Sequence, residues 1–178
     1  MPSEAVVRSV TARIRADAIE LPGALVLPPQ PQGVVLFAHG SGSSRLSPRN
    51  LAVAARLQEA GLATLLFDLL TETEAVDRTN VFDIGLLSTR MVAAHRWLAD
   101  RPETAGLGRG FFGASTGAAA ALVAAAGIGE SIRAIVSRGG RPDLAGPMLG
   151  LVRSPTLLIV GGRDEVVLDL NNQARARM

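Results

Sequence analysis

The chain has 178 residues, 48% of them hydrophobic, and a formal charge of only +2, which suits one domain with a substantial core and excludes a disordered chain. It holds no cysteine and only two histidines, His39 and His95, so disulfides, thiolate metal sites and a histidine metal cluster are excluded, and no cofactor is expected. All 18 basic residues are Arg; they form no basic run and no apolar run is long enough to cross a bilayer, so neither nucleic acid nor membrane is an expected partner and the cytoplasm is the expected compartment.

Strand and helix signals alternate along the chain. Residues 6–15 and 24–28 read as two outer strands, ended by the loop PPQPQG. GVVLFAHG (33–40) is a continuous apolar strand closed by a glycine turn. Pro48 and Asn50 open a helix with Leu51, Ala54, Ala55 and Leu57 on its apolar side, and Gly61 stops it. ATLLFDLL (63–70) is a second buried strand; after a polar loop, Val81 to Ala99 reads as one long amphipathic helix. RGFFGA (109–114) is a third strand, followed by an alanine-rich helix through Ala126. IRAIVS (132–137) is a strand, a loop rich in Gly and Pro follows, PTLLIVGG (155–162) is the next strand, and a helix begins at Val166. Continuous apolar strands alternating with helices predict a doubly wound, mostly parallel α/β sheet covered on both faces. No repeat, low-complexity tract or linker divides residues 1–178, so a single domain is expected.

The third strand leads into a G-x-S-x-G turn: Gly113, Ser115 and Gly117. Between a strand and a helix this turn works as a nucleophile elbow. Only small residues fit beside the serine, whose oxygen projects from the carboxyl end of the sheet. The helix that starts beneath it aims free N–H groups at an oxyanion. Gly108, Gly110 and Gly113 also spell G-x-G-x-x-G. Phe111 and Phe112 put the strand inside that motif, whereas a dinucleotide loop needs its glycines after the strand, so a nucleotide binder is rejected. Functional groups of such a sheet collect at the strand carboxyl ends. Here these are HGSGSS (39–44), Ser115, SRGGRPD (137–143) and GGRDE (161–165).

HGSGSS, FDLLT, FFGASTGAAAA and TLLIVGGRDEVV, in this order and spacing, resemble an α/β-hydrolase of the dienelactone-hydrolase type over about residues 20–178. The resemblance is to bacterial hydrolase domains that sometimes accompany a phosphoribosyltransferase domain; no such second domain is expected in this chain. It implies a serine hydrolase acting on a small-molecule ester or lactone, with Ser115 as nucleophile. The N–H of Thr116 would be one oxyanion donor and that of Ser41 the other, with Gly42 as the lesser alternative. His39 would be structural, because this fold orders its triad Ser, acid, His. Asp164 matches the acid, although its position also suits a helix N-cap. Asp143, one strand earlier, is the alternative acid, and Asp68 reads as structural. Among the arginines at this edge (Arg45, Arg138, Arg141 and Arg163), Arg138 and Arg141 are candidates to clamp a substrate carboxylate.

The chain departs from the family pattern in its histidine, which belongs after one more helix and strand beyond the acid. Fourteen residues follow Asp164 and none is His. His95 lies within the helix before the elbow strand and reads as a helical surface residue. The expectation is therefore an α/β-hydrolase fold lacking its last strand and helix, incomplete at the C-terminus, and inactive or nearly so. A non-catalytic binding or interaction protein on the same fold is the alternative. The uncharged segment 156–160 would then be an exposed sheet edge, through which a homodimer is expected.

Overall fold

The computed structural model describes residues 6–178. Seven strands form one sheet in the order β1-β2-β4-β3-β5-β6-β7. β1 (Arg8–Ala16) and β2 (Ile19–Leu27) are an antiparallel hairpin. Asp17, at φ 54°, takes the left-handed conformation at its tip. β2 pairs antiparallel with β4 (Leu62–Phe67). From β4 onward all pairings are parallel: β4 with β3 (Gly33–Ala38), β3 with β5 (Gly108–Ala114), β5 with β6 (Ile132–Arg138), and β6 with β7 (Thr156–Ile159). The sheet is thus mixed but mostly parallel, as the continuous apolar runs predicted.

Both faces are covered. Helix α1 (Pro48–Glu59) sets Ala54 against Phe37, Leu66 and Phe112 on one face. On the other face α4 (Ile84–Ala99) and α5 (Thr116–Ile128) bury Leu87, Met91, Leu98, Ala120 and Leu122 against Leu36, Leu65 and Phe111. The alanine run of α5 has a consequence for packing. Ala118, Ala119, Ala120 and Ala121 are all fully buried, so small side chains let this helix lie close beneath the sheet and hold the elbow at its N-terminus.

Three expectations need correction. The second outer strand runs from Ile19 rather than residue 24, because Pro22 and Gly23 are accommodated within the ladder opposite Arg13 and Ala12. The helix expected from Val81 to Ala99 is α4 from Ile84 onward, and the polar loop expected before it holds two short helices, α2 (Glu72–Val76) and α3 (Arg78–Phe82), the second of which takes in Val81. The breaks fall at Asp77 and Asp83, whose carboxylates accept the N–H groups of Thr79 at 2.8 Å and Leu86 at 2.9 Å and so start new helices. The Gly/Pro-rich loop after β6 contains 3-10 turns over Pro142–Leu151, kinked at Gly146. Helix α6 (Glu165–Arg175) closes the described chain.

Candidate active site

The elbow is built by steric necessity. Ser115 stands between β5 and α5 at φ 52° and ψ −125°, a conformation that costs a non-glycine residue on the order of 1–3 kcal/mol. A methyl on Gly117 would fall on the carbonyl oxygens of Ala38 and His39, and one on Gly113 would lie 2.7 Å from the Ala118 nitrogen. The strained turn therefore fits only with glycine on both sides. Ser115 occupies the N-cap position of α5 yet makes no capping hydrogen bond. Serine at that position ordinarily caps; here the hydroxyl is not used for that, and the residue is half-buried.

Backbone bonds fix the elbow to its neighbours. The Ser115 carbonyl accepts the N–H of Ala118 and that of Arg141, each at 3.1 Å. Gly40 packs directly on the serine: a methyl there would lie 2.9 Å from the Ser115 Cβ and 3.6 Å from its Oγ. The loop after β3 turns with Ser43 N–H on the Gly40 carbonyl at 3.2 Å and Gly42 at φ +68°.

The expected oxyanion donors differ in availability. Thr116 is the first residue of α5, so its N–H has no acceptor within the helix. The Ser41 N–H donates to the Thr116 hydroxyl at 3.1 Å. An oxyanion at this point would have to compete with that hydroxyl for the second donor.

Neither histidine reaches Ser115 as a base. The His39 Nε2 accepts the Leu69 N–H at 3.1 Å, and its Nδ1 lies 3.0 Å from the Gly40 carbonyl, which sets the neutral tautomer protonated on Nδ1. Burial lowers its pKa, against the smaller opposing effects of the Gly40 carbonyl and Asp68. Its role as a structural member of the loop, expected from the chain order, matches this geometry. His95 has its pKa lowered by burial and by Arg109 and Arg96. Arg109 is at the amino end of β5, six residue steps before Ser115, roughly 20 Å along the strand.

The two candidate acids also differ. Asp164 is exposed and caps α6, its Oδ1 accepting the Val167 N–H at 3.3 Å. It follows β7, two strands from β5 in the sheet, at about 5 Å per strand. Asp143 has both oxygens engaged by Arg141, from Nε at 2.9 Å and Nη2 at 2.8 Å. Asp68 is held by Arg45, which binds one oxygen through its backbone N–H at 2.7 Å and the other through its guanidinium.

A cavity of about 370 Å³ opens beside the elbow. Gly40, Ser41 and Thr116, which adjoin Ser115, are among its lining residues although Ser115 itself is not, and Leu46, Leu69, Leu70, Val81 and Leu87 supply its apolar lining. Arg138 and Arg141 do not line it. Arg138 bonds Asn50 Oδ1 at 3.0 Å and lies over the Phe112 ring, and Arg141 is taken by Asp143. The cation at the cavity is Arg45, one of the four arginines expected at this edge. Its pairing with Asp68, 23 residues away, has no signature in local sequence.

No protein-family model matches the chain. A dienelactone hydrolase from Anabaena variabilis is 53% identical, with a TM-score of 0.94 over 97% of this chain and 82% of that one. A dienelactone-hydrolase-like promiscuous phosphotriesterase from metagenomic libraries (21% identity, TM-score 0.74, 96% of this chain and 79% of that one) shares the fold. So does an esterase of Pyrococcus furiosus (18% identity, TM-score 0.73, 96% and 78%). Two Mycobacterium tuberculosis proteins, named provisionally as phosphoribosyl transferases, are 59% identical over 169 residues. The chain spans 38% of the length of these curated relatives, so their name describes proteins of which most lies outside the match. The identity to the Anabaena enzyme, over nearly all of this chain and four-fifths of that one, shows that the chain belongs to the dienelactone hydrolase family of α/β-hydrolases.

Proposed function

We propose that the chain is a single serine-hydrolase domain acting on a small-molecule carboxylic ester or lactone, with Ser115 as the nucleophile. The observation that carries this reading is the strained Ser115 backbone with a hydroxyl that does not cap its own helix. Such strain is retained where it positions a reacting group. The Thr116 N–H is the first oxyanion donor. The Ser41 N–H is the second, once an oxyanion displaces the Thr116 hydroxyl from it. Asp164 is the acid in preference to Asp143, because one of its carboxylate oxygens remains free whereas both of Asp143 bind Arg141. Arg138 and Arg141 are not assigned to substrate.

The Ser115 hydroxyl would attack the ester carbonyl carbon. Its proton must leave as the bond forms, and neither His39 nor His95 is placed to take it. An imidazole acting here would have to come from outside these 178 residues. Loss of the base costs a serine triad about a millionfold in kcat, and the oxyanion donors with binding leave about a thousandfold over water. The 178-residue chain alone should therefore hydrolyse p-nitrophenyl acetate barely above background. Added imidazole should raise the rate in wild type above that in Ser115→Ala at the same imidazole concentration. Equal rates in the two proteins would refute the nucleophile assignment. Brisk Ser115-dependent turnover without imidazole would show a base within the chain.

Self-association through β7 forms part of the same proposal. Among the described residues this strand pairs only with β6, and it exposes Leu157 at 56% and Ile159 at 45%. An uncharged apolar edge favours pairing with a second copy.

A further inference from the structure

We infer that the cavity beside the elbow selects an uncharged, apolar acyl group and rejects one that carries a carboxylate. The inference names the substrate class for the site proposed above and rests on that reading for the placement of the scissile carbonyl at Ser115. Its observations are separate: the charges and apolar side chains around the cavity.

The charge balance is unfavourable to an anion. Arg45, Asp68 and Glu72 are the ionised groups among the lining residues. Arg45 is spent on Asp68, which it binds through both backbone and guanidinium. His39 lines the same wall but is neutral, with both nitrogens engaged. Glu72, a solvent-exposed residue of the lining, has no second cation beside it in that lining, so the lining side chains sum to a net negative charge that solvent partly screens. An acyl carboxylate entering here would lose hydration, meet no free cation and face Glu72. Arg138 and Arg141, the two arginines suited to a carboxylate by sequence, are held elsewhere by Asn50 and Asp143.

The apolar lining favours the opposite kind of substrate. Leu46, Leu69, Leu70, Val81 and Leu87 surround a volume of about 370 Å³. At about 30 Å³ for each small group, that holds on the order of ten non-hydrogen atoms. A linear or branched acyl chain of medium length fits. Each methylene buried there should strengthen binding about fourfold until the volume is filled.

The test measures binding, independent of turnover, and uses the Ser115→Ala chain so that no acylation intervenes. The paired probes are ethyl hexanoate and monoethyl adipate, which match in length and differ by a terminal carboxylate. Binding is followed by ligand-observed NMR. Ethyl hexanoate should bind at least about tenfold more tightly than monoethyl adipate near neutral pH. Glu72→Arg should narrow that ratio by strengthening adipate binding. Ala75→Trp, at an exposed position on the cavity wall, should abolish ethyl hexanoate binding in a protein that still unfolds cooperatively. Equal or tighter binding of the adipate ester, or unchanged hexanoate binding in Ala75→Trp, would overturn the inference. Failure of Ser115 to acylate in the wild-type chain while the binding ratio holds would count against the nucleophile alone.

Discussion

The His39 imidazole accepts the Leu69 N–H at 3.1 Å, joining the loop that follows β3 to the loop that follows β4. This bond positions Gly40, and through it the face of Ser115, without placing an imidazole at the serine hydroxyl. Burial holds His39 neutral by lowering its pKa below the ordinary 6.5. Between the folded pKa and 6.5 the native state binds fewer protons than the unfolded chain. Stability is therefore full above pH 6.5 and falls as the pH drops through 6.5 toward the folded value. His39→Gln, which removes the titration, should flatten part of this loss, and the remainder belongs to His95, whose pKa is shifted the same way. Urea unfolding at about pH 7.5 and about pH 5 measures both. A wild-type stability that does not fall with acid would refute the neutral assignment.

Two glycines of one helix should respond in opposite directions. Gly117→Ala places a methyl on the Ala38 and His39 carbonyls and should cost about 3 kcal/mol or prevent folding. Gly127→Ala lies at an exposed position of α5 with open space around it and should stabilise by about 0.5–1 kcal/mol. Thermal denaturation of the pair tests whether the G-x-S-x-G glycines are there for close approach. A well-tolerated Gly117→Ala would contradict the elbow geometry.

Much of this architecture is legible in the sequence because β3, β4, β5 and β6 are apolar runs that alternate with helices, a pattern set by burial on both faces. The elbow is legible because Gly113, Ser115 and Gly117 follow a strand directly. The cavity is not. Leu46, Val81 and Leu87 come from separate segments, and Val81 and Leu87, expected on one helix, stand on two because Asp83 ends α3 and caps α4. The competition at the Ser41 N–H is equally hidden: its acceptor, the Thr116 hydroxyl, is 75 residues away. Nor does local pattern reveal that Arg141 is committed to Asp143 while Asp164 keeps a free oxygen.

An ion pair fastens α2 to α4, and the Asn80 amide ties α3 to α2 through the Glu74 carbonyl at 2.9 Å. Arg90, 6% exposed, bonds Glu74 at 2.7 Å, and Glu74 also accepts the Thr71 N–H at 2.9 Å in the capping box of α2. Glu74→Ala should cost about 3 kcal/mol by leaving Arg90 without its main partner. The double variant with Arg90→Met should recover part of that loss. Chemical denaturation of the double-mutant cycle gives the coupling, and simple additivity would contradict it.

The exposed β7 edge predicts concentration-dependent association in sedimentation velocity. Leu157→Lys, placed on the exposed side of that strand, should shift the chain toward monomer. A wild-type chain that stays monomeric at high concentration would rule out the edge as a contact.

Mapping the acyl group after incubation with p-nitrophenyl butyrate and imidazole tests the central claim most directly. Without its own base at the serine, the chain should acylate slowly and deacylate slowly, so the butyryl group should accumulate. Peptide mass spectrometry should place it on Ser115, with faster accumulation in imidazole and none at that position in Ser115→Ala. A butyryl group found only on other residues, or none on Ser115 in the presence of imidazole, would contradict the account.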